Sequence, residues 1–161
     1  MSLDPRVYRD IWGAFATGVT VVTTDCEGWL HGMTANGVAS VSLDPLLMLV
    51  CVAKSAHCHS QLSQAGRFGL SLLGEDQEDL SNLFAKGADP EEGALRGASF
   101  HAGPNGTPLL DGCLAHLECN VKEVLSGGDH DIFIGEALDG KILDSEKPPL
   151  VFFRGGYRKL T

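Results

Sequence analysis

The chain is constrained most by a series of strand-length runs, β-branched or continuously apolar, separated by glycine, proline and acidic residues. These are Val19–Thr24, Trp29–Met33, Leu46–Ala53, Arg67–Leu73, Leu114–Leu125, Ile132–Leu138 and Leu150–Phe153. Only three short helical patterns interrupt them, and strands and helices do not alternate in the βαβ rhythm of a doubly wound sheet. The expected fold is therefore mainly β with short helices, antiparallel and closed towards a barrel. A length of 161 residues with 43% hydrophobic and 20% charged residues suits one globular domain over residues 1–161.

The first helical pattern follows Asp4-Pro5, a carboxylate N-cap with proline at the first helical position. Its stripe of Val7, Tyr8, Ile11, Trp12 and Phe15 reads as core. Asp25-Cys26-Glu27-Gly28 turns one strand into the next as a hairpin. The run Leu46–Ala53 has the composition of a strand buried on both faces. Ser55 or Ser60 caps a short helix through Ala65, and Asp76–Phe84 is helical with Leu80, Leu83 and Phe84 inward. From Ala85 to Pro108 the composition shifts to glycine, proline and acidic residues, the pattern of a lid or mobile segment.

A net charge of −9 and a pI near 5.0 argue against a nucleic-acid or anionic-membrane partner. No apolar run reaches membrane-span length and the N-terminus lacks a secretory layout, so the expected location is cytoplasmic. Five cysteines without a Cys-x-x-Cys pair suit reduced thiols rather than a disulfide framework or structural zinc.

The stretch from Gly32 to Pro45 gathers glycine, alanine, serine, threonine and Asn36 between two apolar strands. It reads either as a tight turn or as bare backbone that a ligand can approach. No Gly-x-Gly-x-x-Gly follows a strand, and there is no phosphate loop, nucleophile elbow or His-Glu-x-x-His. His57-Cys58-His59 lacks an evident third ligand and is not expected to hold a metal. His130, between Asp129 and Asp131 after two glycines, is either a hydrogen-bond donor to a ligand or a turn histidine without a role. Phe84 is either core or a ring against a ligand. Tyr157 lies in a Gly-Gly-Tyr turn, and Lys54 is a phosphate clamp only if the small-residue stretch binds an anion.

Taken together, five ordered stretches resemble the flavin reductase family with the FMN-binding split-barrel fold, the small reductases of two-component flavin-dependent monooxygenases. They are Phe15–Thr23; Gly32–Asn36 with Ser40-Val41-Ser42 and Asp44-Pro45; Lys54-Ser55; Gly128-Asp129-His130; and Gly155-Gly156-Tyr157. The resemblance implies an antiparallel split β-barrel of Greek-key type that transfers hydride from NADH or NADPH to FMN, with FAD possible. By the same resemblance Thr34, Ala35 and Asn36 line the ring and ribityl chain, and Ser40, Val41 and Ser42 approach the ring or phosphate. Cys51, Val52, Ala53, Lys54 and Ser55 continue that wall, Phe84 lies beside the flavin, and His130 and Tyr157 lie near the nicotinamide nucleotide, His130 as the catalytic candidate. It further implies a homodimer and a monooxygenase partner. Leu46 stands where the family commonly has a second proline, and Cys58 where it has threonine; a thiol is a poorer donor to a phosphate than a hydroxyl. The competing reading is a flavin-binding or storage barrel without reductase turnover.

Overall fold

A computed structural model describes residues 1–87 and 94–161. In chain order it contains α1 (Pro5–Gly13), β1 (Thr17–Gly18), β2 (Thr20–Cys26), β3 (Trp29–Ala35), β4 (Val38–Leu43) and β5 (Leu46–Ala53). There follow α2 (His57–Ala65), β6 (Arg67–Leu72), α3 (Glu78–Ala85), a 3-10 turn (Ala94–Gly97), β7 (Phe100–Ala102) and β8 (Pro108–Leu110). The chain ends with β9 (Ala115–Gly127), β10 (His130–Ile142), β11 (Val151–Phe153) and β12 (Gly156–Arg158).

Seven strands form one antiparallel sheet in the order β3-β2-β6-β9-β10-β5-β4. Its two edge strands, β3 and β4, are consecutive in the chain and joined by Asn36-Gly37 alone. Three virtual bonds of ~3.8 Å hold Ala35 within ~11 Å of Val38, so the sheet must curl until its edges meet at that corner. The Cys51 amide donates to the Gly37 carbonyl at 2.8 Å and fastens the corner to β5. Among the described strands no ladder joins β3 to β4, which leaves the curled sheet split along that seam.

β2 explains how a small sheet supports two cores. Successive side chains point to opposite faces of a strand, so Val22 joins a cluster with Val50, Val52, Phe68, Phe133 and Leu62 of α2. Its neighbour Val21 joins another with Leu73, Phe84, Leu95, Leu110 and Leu150. The expected hairpin is present, with Glu27 and Gly28 at φ 55° and 89°, the positive dihedrals that a two-residue turn of this kind needs.

Three expectations are corrected. Asp4 does cap α1, accepting from the Arg6 amide at 2.7 Å, but the apolar stripe is not core: no residue of α1 is buried, and Trp12 is 55% exposed. Amphipathic spacing says which face wants cover and not what covers it. Helix α2 is capped by neither serine. Its N-cap is Ala56, with Ser55 one residue early and Ser60 inside the helix. Within the 85–108 stretch, Leu95 is buried, and β7 pairs with β8. Residues 88–93, the middle of the expected lid, lie outside the described residues.

Candidate active site

β10 is paired with β5 in a register that sets His130 opposite Ala53 at the strand end, and the Lys54 amide donates to the Asp129 carbonyl at 2.9 Å. The β9–β10 turn is thereby held against the point where β5 passes into α2. On the other side, α3 packs against β3, its Ser81 carbonyl accepting from Thr34 Oγ1 at 2.6 Å. Between these elements lies a cleft of about 600 Å³.

Of the residues singled out from the sequence, Thr34, Ala35, Asn36, Cys51, Ala53, Ser55, Phe84 and His130 line this cleft. Its walls are small: Gly32, Ala35, Gly37, Ala53, Ser55 and Ala56 contribute little bulk, and a Cβ on Gly37 would sit 3.3 Å from that of Cys51. Helix α2 begins at the cleft with Ala56, Ser55, His57 and Cys58 all on the wall. Because Ala56 has no side-chain oxygen, the first amides of α2 are without a side-chain cap, an arrangement that suits an anion.

Other expected residues stand apart. Val52 is fully buried in the first cluster, because the two-residue period of β5 turns Cys51 and Ala53 to the cleft and Val52 away. Ser40, Val41 and Ser42 lie on the edge strand β4, outside the cleft lining, with Val41 exposed. Lys54 also points elsewhere, its Nζ donating to Ser126 Oγ at 3.0 Å and lying 3.6 Å from Asp131 Oδ1. Tyr157 sits behind α3, sharing a 2.7 Å hydrogen bond with Ser81 Oγ and packing edge-on against Phe152.

His130 has one carboxylate neighbour rather than two. Asp129 Oδ1 accepts from Nδ1 at 2.8 Å, and this bond holds the Asp129 carboxyl below its ordinary pKa. Strand alternation turns Asp131 the other way, onto His59 Nε2 at 2.7 Å. That bond, with Lys54 behind it, likewise lowers the Asp131 pKa.

The cleft also uses His31, which has no sequence signal of its own, beside Cys58 and Gly32, which the resemblance and the small-residue stretch already marked. His31, which faces it from β3, has its pKa lowered by burial and by neighbouring His57. Cys58 lines the floor with its thiol pushed up to about 12 by burial, so it stays protonated and is at most a weak donor. Gly32 sits directly beneath Phe84: a Cβ there would come within 2.7 Å of two ring carbons. Among the described residues no three His, Cys, Asp or Glu side chains converge as a metal set.

A bare-walled cleft with an uncapped helix start and an anchored imidazole fits a flat heteroaromatic ring carrying a phosphate. Comparison with known proteins agrees. The family described as "Flavin reductase like domain" matches residues 12–161. A "Probable flavin reductase" of Rhizobium meliloti (strain 1021) is 43% identical over 157 residues, which are 96% of this chain and 48% of that protein. The chain thus spans about half the length of that relative. An "NADH-dependent flavin reductase" of Rhodococcus sp. is 41% identical over 98% of this chain and 90% of its own length. The solved structure of BorF, described as the flavin reductase component of a bacterial two-component tryptophan halogenase, superposes with a TM-score of 0.89 at 40% identity, over 98% of both chains. On this sequence and structural likeness, the chain belongs to the flavin reductase like domain family.

Proposed function

We propose that residues 1–161 act as one NAD(P)H-dependent flavin reductase domain that delivers reduced FMN, or FAD, to a partner monooxygenase. The observation that carries this reading is the cleft itself, where small side chains, an uncapped helix start and His130 surround a space suited to a flavin nucleotide. When bound, the flavin and the reduced nicotinamide supply the hydride chemistry, so no nucleophile or metal is required of the protein.

The chain's part is to bind and orient. Thr34, Ala35 and Asn36 at the end of β3, with Cys51 and Ala53 of β5, form the wall against which the ring lies. The first amides of α2 and the Ser55 hydroxyl would hold the phosphate. Phe84 closes the cleft from α3, and Tyr157 positions that helix through Ser81 rather than touching the flavin. His130, with Nδ1 tied to Asp129, offers Nε2 to the nicotinamide nucleotide.

A second copy of the chain covers the exposed apolar face of α1, where Tyr8, Ile11, Trp12 and Phe15 lie open together. No helix among the described residues is long and apolar enough to cross a membrane. The enzyme works in the cytoplasm, where its five unpaired thiols remain reduced.

Mixing the purified chain with FMN and NADH under anaerobic conditions tests the reading. The visible flavin absorption should bleach in proportion to NADH, and His130→Ala should raise the KM for NADH while leaving that for FMN nearly unchanged. Flavin binding without bleaching would replace the reductase with the storage reading.

A further inference from the structure

Of the run His57-Cys58-His59, the first two side chains line the cleft and the third turns to the strand that carries His130. His59 Nε2 donates to Asp131 Oδ2 at 2.7 Å. Lys54, just past the end of β5, lies 3.6 Å from the other carboxylate oxygen and donates to Ser126 Oγ at 3.0 Å on β9, directly across the ladder from Asp131. We propose that Asp131, clasped by His59 and Lys54, is a positioning residue that sets the His130 imidazole where it meets the reduced nicotinamide nucleotide. The proposal rests on the reading of His130 as a nicotinamide contact.

His130 needs an external hold. Its bond to Asp129 joins neighbours in the chain, and Asp129 is 94% exposed. That bond orients the ring within the turn and does not fix the turn to the body of the protein. The turn is also pliant, since it passes through Gly128 at φ 81°. Beyond the ladder to Ala53, two contacts secure it. One is the Lys54 amide on the Asp129 carbonyl. The other is Asp131, the residue after His130, whose carboxylate is only 15% exposed.

The clasp is anchored in the core. Asp131 and Phe133 are two residues apart on β10 and so face the same way. The His59 ring bonds the first and packs edge-on against the second, with 5.4 Å between ring centres, and Phe133 is fully buried in the first cluster. A charge-assisted hydrogen bond between partners seated on a packed core keeps its geometry. The same bond lowers the Asp131 pKa, so the carboxylate stays ionised at neutral pH. Because His59 lies in the first turn of α2, the clasp joins the helix whose first amides would hold the flavin phosphate to the strand that carries His130.

Steady-state kinetics on the full chain test the role, with NADH varied at saturating FMN. Asp131→Ala removes the carboxylate, and His59→Leu keeps an apolar group against Phe133 without a donor. Each should raise the NADH KM by about 5-fold or more, while kcat and the FMN KM stay nearly unchanged. His59→Gln, whose carboxamide still donates to Asp131, should hold the NADH KM near the wild-type value. In a His130→Ala background Asp131→Ala should add nothing further, because a residue that acts through the imidazole has no effect once the imidazole is gone. An unchanged NADH KM in Asp131→Ala and His59→Leu, equal effects of His59→Leu and His59→Gln, or a rise that persists in full without His130 overturns the proposal.

Hydrogen exchange separates the clasp from the nicotinamide reading. In Asp131→Ala the Lys54 amide, which donates to the turn, should exchange about 5-fold faster or more, whether or not the chain reduces flavin. Unchanged exchange in a chain that reduces flavin normally refutes the clasp alone. Faster exchange together with an NADH KM indifferent to His130→Ala refutes instead the nicotinamide contact on which the proposal rests.

Discussion

Gly32→Ala puts the relation between β3 and α3 to the sharpest test. An added Cβ would lie 2.7 Å from both Cδ1 and Cε1 of Phe84, and Phe84 is only 3% exposed, so its ring has no free volume to swing into except the cleft. Overpacking of this kind costs about 1–3 kcal/mol. The reduced freedom of the unfolded chain returns about 0.4–1 kcal/mol, since Gly32 is not held at a positive φ. The net loss is about 1–2 kcal/mol, which for a chain of this size lowers Tm by roughly 2–8 °C. Because the ring relieves the clash by moving into the ligand space, flavin affinity should fall as well. Urea unfolding and flavin fluorescence titration read the two effects, and Phe84→Leu on the same background should recover part of both through a measurable coupling. A Gly32→Ala chain with unchanged stability and unchanged flavin affinity would show that Phe84 does not close the cleft.

Further outcomes follow from the same geometry. The His59 hydrogen bond depresses the Asp131 pKa, so the bond stabilises the fold above the unfolded carboxylate value near ~3.9 and is lost as pH falls through the lower folded value. Asp131→Asn should therefore lower Tm at neutral pH, and the two Tm curves should converge in acid; a constant offset at all pH values would contradict this. With their thiols pushed up to about 12, Cys58 and Cys119 should resist iodoacetamide at pH 8, whereas the half-buried Cys51 should alkylate and be protected by FMN, as read by mass spectrometry. Trp12→Glu should shift the sedimentation of a wild-type dimer to that of a monomer; unchanged sedimentation would leave the α1 face without its proposed cover.

Much of the fold was legible because period and turn chemistry act locally. Glu27-Gly28 and Gly128-Asp129 mark two hairpins, and the β-branched run Thr20–Thr24 can be little other than strand. What the sequence withheld is direction in space. The α1 stripe announced an apolar face without saying that none of the described residues would bury it. Asp131 stood beside His130 in the chain, yet one step along a strand reverses the side chain, so its partner is His59, seventy-two positions away. The same alternation removed Val52 from a wall that Cys51 and Ala53 still form.

His31 and Gly32 carry this argument to function. His31 belongs to no motif, and Gly32 only opens the small-residue stretch, in a strand that reads simply as the second arm of a hairpin. They acquire a role only because the corner at Asn36-Gly37 folds one sheet edge back towards β5, and because α3 lays Phe84 across the bare backbone at Gly32. In the proposed site the ligand space comes from the seam that the described strands leave open: unpaired edge strand, small residues and an uncapped helix start are each a weakness in a core and each an asset around a nucleotide. A sequence scan for catalytic motifs passes over such a site, since its chemistry belongs to the molecules it holds, and the protein's contribution is the shape left between β3, β5, α2 and α3.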